Sequence, residues 1–268
     1  MGITLPPDLG DEVNKTDYEG EFYSRYAEAR KLLPETERVW MDKVREYTKG
    51  RTIGRALDVG SGTGRFSPLL ADELGAEVVG VEPSDQMRAV AEAGNRHAQV
   101  TYLKGSAEAL PVGDGEFDLA WMSMVIHHIA DRDKCAGELA RALAAKGRVL
   151  IRNAFRDRLT GGHGFPFYDF FPGALEVDRR RLPSVAEVTA AFEEAGFSTV
   201  ATDAVRQTLV QSLKAYLPRL RQGGISTLEY LTEAQREEGF RRMEEAAAKE
   251  TGDSPILETI DLLVFEKR

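Results

Sequence analysis

The stretch LDVGSGTGRF, residues 57–66, runs an apolar and acidic segment straight into glycines at 60, 62 and 64. With the two residues before it, RALDVG (55–60) reads as a buried strand, and RFSPLLADEL (65–74) reads as the helix that follows, stopped at Gly75. A turn this bare lets the backbone take positive φ and come close to a ligand. The N–H groups at the start of the next helix favour a negative group there. In open α/β sheets ligands bind beyond the carboxyl ends of the strands, where this turn would lie. A tight turn without a ligand is the plain alternative, and three alternating glycines argue against it. A triphosphate-binding loop would need Lys and Ser/Thr after the last glycine, where Arg65 and Phe66 stand. A dinucleotide fingerprint, G-x-G-x-x-G, would place its last glycine one position later.

Outward from this turn the chain alternates strands and helices. EVVGVE (77–82), VTYLKG (100–105), FDLAWMSMV (117–125) and RVLIRNAF (148–155) read as strands. SDQMRAVAEA (84–93), with Ser84 as N-cap, and DRDKCAGELARAL (131–143), started by Asp131, read as helices. The alternation predicts parallel βαβ units in a doubly wound sheet. On the amino-terminal side, composition favours helix from Tyr18 to Tyr47, broken near Pro34, with Trp40, Val44 and Tyr47 on one face. On the other side, residues 156–183 read as irregular. SVAEVTAAFEEAG (184–196) reads as a helix with a Ser184–Glu187 capping box, and FSTVATDAV (197–205) as a strand. Residues 211–250 read as helical, with a second capping box at Thr232 and Gln235, and ILETIDLLVFEKR (256–268) ends in a strand.

The 268 residues suit one large domain with appended cap elements, and a formal charge of −9 disfavours a nucleic-acid partner. Cys135 is the single cysteine, so no internal disulfide forms and a reducing compartment is expected. The absence of a basic-then-apolar start and of any apolar run near the ~18 residues that span a bilayer leads to an expectation of a cytoplasmic protein with no membrane partner.

Glu82 ends the second strand, where an ionised carboxylate can accept hydrogen bonds from both hydroxyls of a ribose. An exposed ion-pairing glutamate is the bland reading. GSAEALP (105–111) follows the third strand, and FDLAWMSMVIHHI (117–129) contains the fourth. In this order and spacing, the four segments resemble the class I S-adenosylmethionine-dependent methyltransferases, especially small-molecule enzymes acting on quinones and natural products. The resemblance covers about residues 55–155. It implies a Rossmann-like α/β fold, a doubly wound, mostly parallel seven-stranded sheet with helical cap insertions. The expected division is an N-terminal helical lid (1–54), a cofactor-binding core (55–155), an insertion or lid loop (156–183), and a C-terminal part of the sheet (184–268) carrying a helical cap insertion at about 206–255.

The resemblance also implies site roles. Gly60, Ser61 and Gly62 would lie against the methionyl part of S-adenosylmethionine, with Asp58 ordering the loop or hydrogen-bonding near the amine. Glu82 would hold the ribose, Pro83 and Met87 would flank the adenine, and Ser106 and the backbone of Ala107 would address its edge. Ser106 stands where many relatives carry aspartate, so an uncharged, weaker adenine contact is expected. Met122 and Ser123 would line the methionyl chain. Tyr18 and Tyr26 are candidates to close over the cofactor, with ordinary helix packing an equal alternative.

Methyl transfer from a sulfonium is an in-line displacement that needs positioning and, for some acceptors, a base; it requires no metal, and the four histidines and one cysteine show no metal spacing. His127 is the leading candidate base, His128 follows, and His163 is a distant third; local packing competes for each. The rings at Phe165, Phe167, Tyr168, Phe170 and Phe171 could cover an aromatic acceptor or simply anchor their segment. QSLKAYLPRLRQGGISTLEYL (211–231) has an apolar face that would roof the pocket or form a homodimer contact. A small-molecule acceptor, methylated on O, N or C, is therefore expected. A non-catalytic cofactor-binding module and a nicotinamide oxidoreductase are the competing readings.

Overall fold

The computed structural model describes residues 32–159, 167–223, 225–252 and 254–268. Tyr18, Tyr26, His163 and Phe165 lie outside them. In chain order the elements are α1 (Pro34–Thr48), β1 (Arg55–Val59), α2 (Ser67–Leu74), β2 (Glu77–Glu82), α3 (Asp85–Gly94), β3 (Val100–Lys104), β4 (Phe117–Ser123), α4 (Arg132–Ala142), β5 (Leu143–Asn153), α5 (Phe167–Phe170), α6 (Pro172–Arg181), α7 (Val185–Glu194), β6 (Phe197–Val210), α8 (Leu213–Arg221), α9 (Glu233–Lys249) and β7 (Ile256–Lys267).

The strands form one seven-stranded sheet in the order β3-β2-β1-β4-β5-β7-β6. β1 pairs parallel with β2 and β4, and β7 runs antiparallel between β5 and β6. The order reverses at β1, so β1 and β4 flank the switch point at which open α/β sheets take ligands. Local signals set the helix starts. Ser84 accepts from Met87 N, Asp131 from Lys134 N, and Ser184 and Thr232 each form both halves of a capping box.

One face of the sheet (Leu57, Met122, Ile151, Phe265) packs on α4 and α7 through Leu139, Val188 and Phe192. The opposite face (Trp121, Leu150, Leu262, Val264) packs on α1 and α2 through Trp40, Val44 and Leu70. Tyr47 packs at the margin of this second core, so the predicted shared face of α1 is the buried one.

Residues 156–183 differ from their irregular reading, because α5 and α6 occupy much of the segment. Pro172 stands in the first turn of α6, where its missing N–H costs nothing, and three arginines complement the helix dipole at the other end. These helices join α8, α9 and the outer ends of β6 and β7 in a third core built on Phe167, Phe171, Val177, Tyr216, Leu228 and Met243. β5 starts five residues earlier than its sequence reading, at Leu143, passing a positive-φ Lys146 and a register shift opposite Phe117–Leu119.

Candidate active site

The glycine turn leaves β1 over the end of β2. Gly60 N and Ser61 N donate to Val81 O at 2.8 and 3.1 Å, and Gly60, Gly62 and Gly64 all take positive φ. Two of them also leave no room for a side chain. A Cβ on Gly60 would stand 2.3 Å from Val125 Cγ2, and one on Gly64 would stand 2.3 Å from the Tyr102 hydroxyl oxygen. Bare backbone is therefore demanded twice here, by conformation and by packing.

Glu82 is buried at the end of β2. Its Oε2 accepts from Gly62 N at 2.9 Å and its Oε1 from Ser84 N at 3.0 Å. One carboxylate thus ties the glycine turn to the start of α3. Met87, in the first turn of α3, is buried with its Cε near Gly62, and Pro83 is exposed beside it. Gly105 N donates to Glu82 O, which brings the turn containing Ser106 and the buried Ala107 to the same crevice. Asp58, paired with Gly80, lies on the same sheet face as Glu82, one layer below it. Its carboxylate accepts from Ser67 Oγ at 2.6 Å, pinning the start of α2, so of its two expected duties the ordering of the loop has its hydrogen bond in place. Burial raises the Asp58 pKa to about 7, against the lowering effects of Ser67 and Arg65.

Beyond β4 the chain turns sharply. Met124 has φ +57, a conformation uncommon for a residue other than glycine, and its N–H donates to Arg152 O at 2.8 Å. A single 3-10 turn, Ile126–His128, then carries both candidate bases. His127 is buried, and its Nδ1 lies 2.9 Å from Oδ1 of Asn153, the last residue of β5. Asn153 Nδ2 donates to Ala154 O, which leaves Oδ1 as the acceptor for His127 Nδ1–H. Neutral His127 therefore carries its proton on Nδ1, and Nε2 is the basic nitrogen. His128 is half-buried, its ring centroid 4.0 Å from that of His127. Met122 is wholly buried in the core under the edge, whereas Ser123 is half-buried and its Oγ accepts from Arg152 Nη1 at 3.3 Å.

The aromatic segment is an anchor. Phe167 and Phe171 are buried in the cap core, Phe171 packs edge-on against Phe240 at 5.2 Å, and the Tyr168 hydroxyl donates to Asp178. Sequence reasoning missed Asn153 and Arg152. Their signal was present in VLIRN (149–153), where a charge and an amide end an otherwise apolar strand.

These parts suit a nucleoside carrying a small cationic group. Ser61 Oγ, beside the turn, is buried and has no hydrogen-bond partner among the described residues, a polar atom of the kind a ligand satisfies. Glu82 places at the crevice a carboxylate that already accepts from Gly62 N and Ser84 N, and carboxylate acceptors are chemistry suited to a vicinal diol.

A seven-stranded, mostly parallel sheet with a bare turn after β1 and a carboxylate ending β2 defines the class, a Rossmann-like α/β protein. Residues 57–151 match the methyltransferase domain family. The chain is 35% identical over 139 residues to a demethylmenaquinone methyltransferase of Thermus thermophilus, covering 51% of this chain and 63% of that protein. It thus spans less than two thirds of that relative's length. Among solved structures, a methyltransferase attributed to an antibiotic biosynthesis pathway of Anabaena variabilis aligns with TM-score 0.69 at 20% identity, over 87% of this chain and all of that one. A Haemonchus contortus phosphoethanolamine N-methyltransferase, solved with phosphomonomethylethanolamine and S-adenosylhomocysteine, aligns with TM-score 0.61 at 21% identity, over 98% of this chain and 61% of that one. Over residues 57–151 the chain is thus similar to methyltransferase domains. Among the described residues, no helix is long and apolar enough to cross a membrane.

Proposed function

We propose that this protein methylates a small-molecule acceptor, with S-adenosylmethionine bound across the carboxyl ends of β1, β2 and β4. The observation that carries this reading is the Glu82 carboxylate, buried at the end of β2 and bonded to both the glycine turn and the start of α3. Bound there, S-adenosylmethionine supplies an activated methyl on a sulfonium. The chain's own residues do the remainder. Glu82 takes the ribose hydroxyls, Met87 packs the adenine, and the Ser106–Ala107 turn meets its edge. The backbone of Gly60–Gly62 and the Ser61 hydroxyl receive the methionyl end, with Met122 and Ser123 at the exit of β4. His127, its proton held on Nδ1 by Asn153, receives at Nε2 the proton that an oxygen or nitrogen acceptor gives up. Positioning supplies much of the rate, since well-oriented reactants gain up to ~7–11 kcal/mol. The likeness to a quinone methyltransferase favours an aromatic, quinol-like acceptor.

The test is calorimetric titration of the purified chain with S-adenosylhomocysteine, followed by a search for its release from S-adenosylmethionine in the presence of quinols. Micromolar binding that Glu82→Ala weakens at least tenfold is expected. No binding to the wild type overturns the reading.

A further inference from the structure

Between β3 and β4 the chain makes a compact loop that closes on itself. At its entry Gly105 N donates to Glu82 O at 3.4 Å. A Cβ on Gly105 would stand 2.5 Å from Pro111 Cδ, so the loop's exit lies directly on its entry. Between them Ala109 N donates to Ser106 O at 3.2 Å and closes a tight turn with Ala107 and Glu108 at its centre. Glu82 therefore acts twice. Its carboxylate fixes the glycine turn, and its carbonyl fixes the start of this loop.

Two side chains of α4 take hold of the exit. Glu138 and Arg141 are three positions apart on one helical face and pair as two forks, Arg141 Nε to Glu138 Oε1 and Nη2 to Oε2, both at 2.9 Å. The pair grips both polar backbone groups of Leu110. Glu138 Oε2 accepts from Leu110 N at 2.8 Å, and Arg141 Nη2 donates to Leu110 O at 3.1 Å. Arg141 Nη1 donates further along the loop, to Val112 O at 2.8 Å and to Asp114 at 2.7 Å. The Leu110 side chain is buried in the same core as Ala107. The hydrogen bond from Arg141 holds the Glu138 carboxyl below its ordinary pKa, so the fork stays ionised at neutral pH. A partly exposed ion pair on a helix contributes little to stability by itself. This one makes three bonds to the backbone of another segment, and its effect is to fix the direction of that backbone, one residue beyond the turn Ser106–Ala109.

Direction matters for reading a purine edge. Adenine offers an amine at C6 and a bare N1. Hypoxanthine offers a carbonyl and an N1–H, which reverses both. A serine hydroxyl suits either base, because it donates and accepts. A backbone N–H only donates, so it accepts adenine and meets hypoxanthine donor to donor. A site of this kind discriminates by leaving polar groups unpaired with the wrong ligand.

We propose that Glu138 and Arg141 are positioning residues for base selectivity: by holding Leu110 they aim the turn Ser106–Ala109 at the adenine edge, and so make the site choose a 6-amino over a 6-oxo purine. This rests on the methyltransferase reading above.

The full chain is titrated calorimetrically with S-adenosylhomocysteine and with its 6-oxo analogue, S-inosylhomocysteine, at pH 7.5. Tighter binding of the adenine ligand by the wild type, tenfold or more, is expected. Arg141→Ala should bring that ratio to within about twofold. Glu138→Gln, which keeps an acceptor for Leu110 N but loses the ionic fork, should lower it about threefold. A loss of stability alone weakens both ligands alike and leaves the ratio where it was. Equal binding of the two ligands by the wild type, or an undiminished ratio in a folded variant, overturns the proposal; if Arg141→Ala does not fold, Glu138→Gln decides. Failure of S-adenosylhomocysteine itself to bind the wild type would instead overturn the methyltransferase reading, so the two failures are distinguishable.

Discussion

His127 Nδ1 stands 2.9 Å from Asn153 Oδ1, joining the turn after β4 to the last residue of β5. The bond does for the imidazole what a carboxylate does in other base assemblies, without adding charge: it orients the ring and leaves Nε2 basic. Replacing His127 with Ala should lower kcat by roughly 10²-fold or more for an oxygen acceptor, the usual contribution of a general base. Asn153→Leu should lower kcat by about tenfold and move the acidic limb of the pH–rate profile, where protonation of the imidazole removes the base, a readout that lost packing alone would not move. Steady-state kinetics with the best quinol substrate checks both, and wild-type kcat in His127→Ala would assign the ring to structure.

Glu82 holds two backbone N–H groups, so its loss should be felt in binding and in the shape of the turn. Glu82→Ala should weaken S-adenosylhomocysteine at least tenfold, because charge-assisted hydrogen bonds in a buried site are lost. Glu82→Gln keeps one acceptor oxygen and should fall between. Calorimetry orders the three proteins, and equal affinities would remove the ribose role.

Much of the fold was legible because its signals are local. Ser84, Asp131, Ser184 and Thr232 announce their helices through bonds only three residues long. Glycines 60, 62 and 64 mark a turn whose φ angles few other residues accept. What was hidden depends on long-range pairing. The Trp40–Gln207 bond spans 167 positions and the His127–Asn153 bond 26, so neither leaves a periodic trace. Lid and anchor both stayed open for the rings of 167–171 because composition cannot say which core an aromatic residue fills, and the second half of their cap core lies some 40 or more residues later, at Tyr216 and Leu228.

Asp58 gives the fold a pH dependence. Its folded pKa is raised to about 7 from an ordinary 3.8, so the native state holds a proton that the unfolded chain releases first. Stability from this group is therefore full below about pH 4, declines as pH rises toward 7, and is level above that. The decline is on the order of 4 kcal/mol, about three units at ~1.4 kcal/mol per unit. Asp58→Asn keeps an acceptor for Ser67 and cannot ionise. Urea midpoints at pH 5 and pH 8 should show the variant gaining on the wild type as pH rises, and parallel curves would place the titration elsewhere.

Gly60 is held by its φ of +67° and by Val125, whose Cγ2 would lie 2.3 Å from an added Cβ. Gly60→Ala should cost about 2–5 kcal/mol, combining left-handed strain with overpacking. Val125→Ala should recover part of that loss in the double variant and leave the conformational share. Denaturation curves of the four proteins close the cycle. Strict additivity would mean that the contact contributes nothing.

Asp178 of α6 accepts from the Tyr168 hydroxyl at 2.9 Å and from Thr227 Oγ1 at 2.8 Å, with Arg181 Nη1 3.5 Å away. Arg181 reaches Thr227 and Ser226 as well and lies over the Tyr230 ring. This buried polar knot joins α6 to the 3-10 turn Ser226–Tyr230, hence one half of the cap core to the other. Removing the carboxylate strands a buried guanidinium, so Asp178→Ala should destabilise the cap by about 3–5 kcal/mol. Burial and the Asp178 charge raise the Tyr168 pKa well above its ordinary value, so the phenol stays a donor throughout the working pH range. Because the cap core is separate from the two sheet cores, the loss should be local. Hydrogen exchange should show protection falling in α6 and α9 while β1, β4 and β5 keep theirs. Uniform loss across all seven strands would mean that cap and sheet unfold as one cooperative unit.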